Sequence, residues 1–68
     1  MKVKYFKDTD TALFEFSSRD VDETKEISEN VYVDLGKDGN LVRMTIEHAA
    51  AVAALPQLSL EEIDAPAA

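Results

Sequence analysis

The chain has 68 residues, no cysteine and a formal net charge of −7. A charge of this sign repels phosphate backbones, so direct binding to nucleic acid is not expected, and without cysteine there is no disulfide, thiolate metal site or thiol nucleophile. The length allows one domain with a small core, and self-association is then the usual remaining source of stability.

The N-terminal residues give no sign of export or membrane insertion. Lysines at positions 2, 4 and 7 interrupt the region where a signal peptide would have its apolar stretch. No apolar run has the length of a transmembrane helix. We therefore expect a soluble cytoplasmic protein that does not bind membranes.

The first third of the chain has the pattern of a β-hairpin. Residues 1–6 and 11–17 alternate between apolar and polar side chains, and turn-forming residues lie between them. A loop over residues 7–10 sorts the apolar and charged side chains onto opposite faces, which supports this register. The predicted pairs are Val3 with Phe14, Tyr5 with Ala12, Phe6 with Thr11, and Lys2 with Glu15.

Residues 18–26 alternate weakly and carry many like charges, which predicts a loop or a poorly paired edge segment. A stronger signal follows, because Asp38-Gly39 lies between alternating apolar runs at residues 31–35 and 41–47, as is typical of a tight hairpin. A two-residue loop predicts the pairs Val31 with Ile46, Val33 with Met44 and Leu35 with Val42 on one buried face, and Asp34 with Arg43 on the other.

Two other loops are compatible with the second hairpin. A four-residue loop over residues 36–39 keeps the same faces and shifts the partners by two. A three-residue loop with a bulge is disfavoured, because it would move Arg43 and Thr45 in among the valines.

An alanine-rich stretch over residues 49–55 favours a short helix that ends before Pro56. Ser59 and Glu62 have the spacing of a capping box, which predicts a further helical turn carrying Leu60 and Ile63. The fold class is therefore α+β: a small antiparallel sheet of about four strands, in two hairpins, with a short C-terminal helix. The domain is expected to span residues 1–64, with a frayed tail at residues 65–68.

Several residues have the chemistry of a metal or catalytic site, but each is better explained as structural. Asp8 and Asp10 are turn residues whose carboxylates bond the nearby backbone. Asp34, Asp38 and Gly39 resemble the start of a calcium loop that lacks its third and last ligands. His48 has no nucleophile motif beside it. We predict no catalytic residue, no metal site and no cofactor.

The predicted registers turn Phe6, Leu13 and Tyr32 away from the main apolar face. One short helix cannot cover both faces of a sheet, so these residues form a candidate interaction surface. The alternative is that the C-terminal segment folds back over them. The residues of that segment available to cover them are Leu55, Leu58, Leu60 and Ile63.

Five segments of the chain together match the pattern of a known family. They are Tyr5 to Asp8, Thr11 to Phe16, Val31 to Leu35, Asp38-Gly39 and Leu41 to Glu47. These segments resemble a family of very short prokaryotic proteins, the domain of unknown function 2283 (DUF2283). The resemblance covers about residues 1–48 and implies a small sheet with a terminal helix, a dimer, and a role beside a toxin-like partner. The sequence departs from the family pattern at Phe6, Gly36 and Arg43, where Asp, an acidic residue and Gly are common.

The sequence favours a non-enzymatic homodimeric module that binds another protein through an apolar sheet face and an acidic surface. The alternative hypothesis is an antitoxin-like protein whose negative charge masks a basic partner. An enzyme using Asp8, Asp10 and His48 is the least favoured reading.

Overall fold

The computed structural model describes residues 1–64, which form a five-stranded antiparallel sheet and one short helix. The strands lie in the order β1-β2-β5-β4-β3, so β1 and β3 are the two edges. The elements are β1 (Lys2–Phe6), β2 (Thr11–Glu15), β3 (Glu23–Ser28), β4 (Val31–Leu35), β5 (Leu41–Glu47) and α1 (Ala49–Ala53).

The first hairpin has the predicted register. All four predicted pairs between β1 and β2 are observed, and β2 then pairs with β5 through Phe14 with Met44 and Ala12 with Ile46. The tight loop closes at Asp10, which has a φ of 52°, a left-handed conformation that aspartate tolerates better than most residues.

The second hairpin keeps the predicted faces, but the two-residue loop is wrong, and the three-residue loop with a bulge, which was disfavoured, is the one observed. Gly36 N donates to Asn40 O and Gly39 N donates to Gly36 O, so the loop has three residues and ends at Gly39, whose φ is 83°. Leu35 pairs with Leu41 instead of Val42. A bulge at Val42 then restores the register, and Asp34 lies opposite Arg43 as predicted.

The sheet has five strands, where about four were predicted. The additional strand, β3, lies within and beyond the segment predicted to be a loop or edge, and it pairs with β4. All six of its residues are exposed. An edge strand without a buried face has no apolar positions to alternate with polar ones, which explains the weak sequence signal.

The C-terminal helix is shorter than predicted. It ends at Ala53, and a left-handed Ala54 turns the chain so that Leu55 N donates to Ala49 O. The further turn predicted at Ser59 and Glu62 is wrong, because residues 57–64 have no helix. A single turn needs an apolar surface to pack against, and the apolar side chains of this segment are exposed.

In the part of the chain that the structure describes, α1 has five residues, and nothing helical there approaches the length and apolarity needed to cross a bilayer. The frayed tail predicted at residues 65–68 lies outside the described residues.

The core lies on one side of the sheet, at the end covered by α1. Ala12, Ile46, Ala49 and Leu55 form its buried cluster, and Leu55 is brought there by the turn after α1. We call the strand residues on this side the apolar face. Six of them were predicted to pair on one buried face in the second hairpin. Val42 and Ile46 are buried, and the other four residues of those pairs are half-buried. The apolar face consists of Val3, Tyr5, Ala12, Phe14, Val31, Val33, Leu35, Val42, Met44 and Ile46.

Ile46 therefore contributes more to stability than an exposed isoleucine. Ile46→Val should lower the free energy of unfolding by about 1 kcal/mol, because it removes a buried methylene. The matched control is Ile27→Val, which changes an isoleucine that is 61% exposed and should be nearly silent. Urea denaturation at one protein concentration measures both, and equal effects would show that the cluster around Ile46 is not the core.

Candidate functional site

The opposite side of the sheet, here called the polar face, carries a row of residues of alternating charge across all five strands. In register, Asp34 lies between Thr24 and Arg43, and Glu15 lies between Arg43 and Lys2. Each charged residue therefore has only opposite charges or a hydroxyl beside it, which favours this register over a slipped one.

Asp34 is the buried member of this row, with 8% of its surface exposed. Its Oδ1 accepts a hydrogen bond from Thr24 Oγ1 at 2.6 Å, and its Oδ2 accepts one from Arg43 Nε at 2.7 Å. Burial raises the pKa of Asp34, but the hydrogen bonds from Thr24 and Arg43 and the charge of Arg43 outweigh it, so the net pKa is lowered from 3.8. The carboxylate is thus held in its ionised form.

Glu15 pairs with a different lysine from the one predicted. Lys2 is its backbone partner, but Lys4 Nζ lies 3.2 Å from Glu15 Oε2, and this contact lacks hydrogen-bond geometry. The lysine reaches diagonally across the hairpin, which the sequence pattern of directly opposed pairs does not reveal.

The predicted interaction residues Phe6, Leu13 and Tyr32 all lie on the polar face. Leu13 and Tyr32 are half-buried on either side of Thr45, whereas Phe6 is 49% exposed near the end of β1. The negative charge of Glu47, followed by burial and Glu26, raises the pKa of Tyr32. These three residues are separated by polar groups and do not form one continuous apolar patch.

The C-terminal segment does not cover these three residues. Leu55 packs on the other side of the sheet, with Ala12 and Ile46. The remaining apolar residues of the segment are exposed, with Leu58 at 60%, Leu60 at 95% and Ile63 at 77%. The alternative in which the segment folds back over Phe6, Leu13 and Tyr32 is therefore wrong.

The apolar face is only partly covered. The cluster around Ile46 occupies the end beneath α1, where Tyr5, Phe14, Val31 and Met44 pack against it. Val3, Val33 and Leu35 are half-buried, and no large side chain among residues 1–64 is fully buried. Apart from the edge strand β3, this face carries no charged residue, so it is a second and more continuous candidate surface.

The candidate catalytic and metal-binding residues have structural contacts. Asp10 holds the start of α1: its main-chain O accepts from Ala49 N at 2.9 Å, and its Oδ1 accepts from Ala50 N at 3.1 Å and from Tyr5 Oη at 2.6 Å. The hydrogen bond to Asp10 raises the pKa of Tyr5, with burial adding to it. Asp8 and His48 are exposed.

The two aspartates of the calcium-like motif point to different partners. Asp34 binds Thr24 and Arg43, whereas Asp38 binds Asn40 and Arg19, with Arg19 Nη1 2.8 Å from Asp38 Oδ2. The hydrogen bond from the Asn40 backbone leads the contacts that lower the pKa of Asp38. Among residues 1–64 there is no group of three or more His, Cys, Asp or Glu side chains that could hold a metal ion.

The two free edges of the sheet carry opposite charge. Residues 1–7 contain lysines at positions 2, 4 and 7 and no acidic residue, whereas residues 20–29 contain five acidic residues and one lysine. The acidic segment was predicted to be a loop or a poorly paired edge, and the structure shows that the edge strand β3 lies there. The opposite charges of the segments around β1 and β3 are the sequence signal for the two edges.

A family model described as "Protein of unknown function (DUF2283)" matches residues 2–49, which include all five strands. No curated protein and no solved structure shows significant similarity to the chain.

Acid should remove the contribution of Asp34 to stability. Because its pKa is lower in the folded state than the 3.8 of the free side chain, the contribution is complete above about pH 5 and is lost as the pH falls through the folded pKa. Asp34→Asn should lower the free energy of unfolding by about 1–2 kcal/mol at pH 7, and the difference from the wild type should close as the pH falls through the folded pKa of Asp34.

The measurement is urea denaturation at a series of pH values, from about pH 7 down into the acid range in which Asp34 loses its charge. Arg19→Ala serves as the control, because it removes an ion pair of similar length whose side chains are 62% and 50% exposed, and it should have little effect. A pH-independent difference between the wild type and Asp34→Asn would show that the charge of Asp34 does not stabilise the fold.

Proposed function

The chain belongs to the DUF2283 family, and within that family we propose that it is a non-enzymatic, cytoplasmic protein-interaction module that acts as a homodimer. The observation that carries the proposal is the apolar face, which α1 and Leu55 cover at one end only. A chain of this length buries a modest fraction of its surface alone. A second copy on the open part of the face supplies the missing burial.

Self-pairing suits this face because of its charge. Within β1, β2, β4 and β5 it presents apolar residues, and the charged residues Glu23 and Lys25 occupy only the β3 edge. Two copies can therefore stack without opposing carboxylates at the centre, despite the net charge of −7. The acidic residues of the β3 edge and of the loop before it stay at the rim and remain available to another protein.

Val33 and Tyr32 provide a matched test, because they are neighbours on β4 that face opposite sides of the sheet. Val33→Glu places a carboxylate across from Lys25, and Tyr32→Lys places an amine near Glu26 and Glu47. Each new charge thus has an opposite charge beside it in the monomer, which keeps both variants folded. Val33→Glu should weaken the dimer about tenfold or more, since its carboxylate is desolvated at the interface, and Tyr32→Lys should leave it intact.

Light scattering coupled to gel filtration from 1 to 200 µM (about the range of a moderate dimer) measures both variants, with circular dichroism as a check on folding. Loss of the dimer in Tyr32→Lys alone would place the interface on the polar face, around Phe6, Leu13 and Tyr32. A monomeric wild type with a concentration-independent Tm would contradict the proposal.

A second candidate function rests on the acidic edge. The exposed residues of β3 and its flanking loops suit a basic partner, which an antitoxin-like protein would mask. The acidic residues available there are Asp20, Asp22, Glu23, Glu26 and Glu29.

A lysine-rich peptide is the probe for that candidate. Its affinity should fall roughly five- to tenfold at low ionic strength in the double variant Glu23→Gln/Glu26→Gln, since these charges would attract it directly. The control Glu62→Gln/Asp64→Asn removes the same charge from the C-terminal segment. Isothermal titration at two salt concentrations compares them, and equal losses would show that only net charge attracts the peptide.

A further inference from the structure

Residues 57–64 have no regular secondary structure, and their apolar side chains are exposed. Leu60 is 95% exposed, and Leu58 and Ile63 are 60% and 77% exposed. The segment also carries Glu61, Glu62 and Asp64 and no basic residue. Apolar residues interspersed with polar and acidic ones are typical of a strand that adds to the edge of a sheet.

We propose that this segment of one copy adds as a sixth, antiparallel strand to the β1 edge of the second copy. The inference rests on the homodimer proposed above and adds a second contact to its stacked apolar faces. Both sheet edges have free backbone groups, but their charges select one of them. The β3 edge is acidic and repels the segment, whereas the lysines at positions 2 and 4 of β1 attract it.

One register satisfies the side chains of both strands. With Leu60 beside Val3, the antiparallel arrangement puts Leu58 beside Tyr5 and extends the apolar face by one strand. On the polar face, Ser59 then lies beside Lys4 and Glu61 beside Lys2. Lys2 is available for this pair, because no carboxylate of residues 1–64 lies within ion-pair distance of it.

The structure favours a second copy over the same chain as the partner of the segment. The chain has a Cα radius of gyration of 14.0 Å, compared with about 11 Å for a compact chain of this length. The exposure of Leu58, Leu60 and Ile63 shows that the segment does not close onto its own sheet. Exchange between two copies gives each β1 edge a strand and each segment a surface.

Disulfide trapping tests the register directly, since the chain has no native cysteine. Lys4→Cys and Ser59→Cys proteins are mixed under reducing conditions and then oxidised. The mixed disulfide between Lys4→Cys and Ser59→Cys should form about tenfold faster than the one between Lys25→Cys and Ser59→Cys, because the proposed contact raises the local thiol concentration. Lys25→Cys is the control, since it places the thiol on the β3 edge.

The double variant Lys4→Cys/Ser59→Cys identifies the partner chain. A covalent dimer supports exchange, whereas a covalent monomer shows that the segment folds onto its own β1 and overturns the inference. Equal rates at the two edges also overturn it. Light scattering on the unmodified protein tests the dimer independently of the cross-link. If the protein is a dimer but the double variant forms no cross-link between positions 4 and 59, this contact is rejected and the proposed function stands. If the protein is a monomer, both are rejected.

Discussion

The contact between Asp34 and Arg43 fixes the register in which β4 and β5 pair. A slip of one residue between β4 and β5 would place Arg43 on the apolar face and separate Asp34 from the Arg43 guanidinium that donates to it. The three-residue loop at Gly39 on its own would impose such a slip, and the bulge at Val42 cancels it. The buried carboxylate therefore explains why the strand bulges where it does, and its requirement for partners is stronger than the preference of the turn.

The second constraint is that one short helix has to cover a five-stranded sheet. Asp10 fixes α1 over one end of the apolar face by bonding Ala49 and Ala50, and the left-handed turn at Ala54 returns Leu55 to the cluster. This arrangement covers the β2 and β5 positions around Ala12 and Ile46. It leaves the β4 side and the start of β1 open, so the same geometry that completes the core also leaves the surface on which the proposed dimer depends.

The sequence was sufficient to predict the two hairpins and their faces, because alternation fixes register wherever one face is apolar. It was insufficient at β3, where both faces meet solvent, and at the loop of the second hairpin, where Asp38-Gly39 suits both a two- and a three-residue loop. Phe6, Leu13 and Tyr32 were correctly placed opposite the main apolar face. The incomplete cover of that face by α1, and the exposure of Leu58 and Leu60, depend on packing between distant segments, which no local pattern encodes.

The anchoring of α1 by Asp10 also determines when the fold can be completed during synthesis. The bond between Asp10 and Ala50 joins residues 40 positions apart, and Leu55 enters the cluster later still. The hairpins can pair as they leave the ribosome, but the apolar face stays open until the helix has followed them. A nascent sheet with an open hydrophobic side is a substrate for chaperones and for misassembly on crowded polysomes. The acidic loop and the edge strand β3 are synthesised before the second hairpin. Their negative charge makes unfinished chains repel one another during that interval.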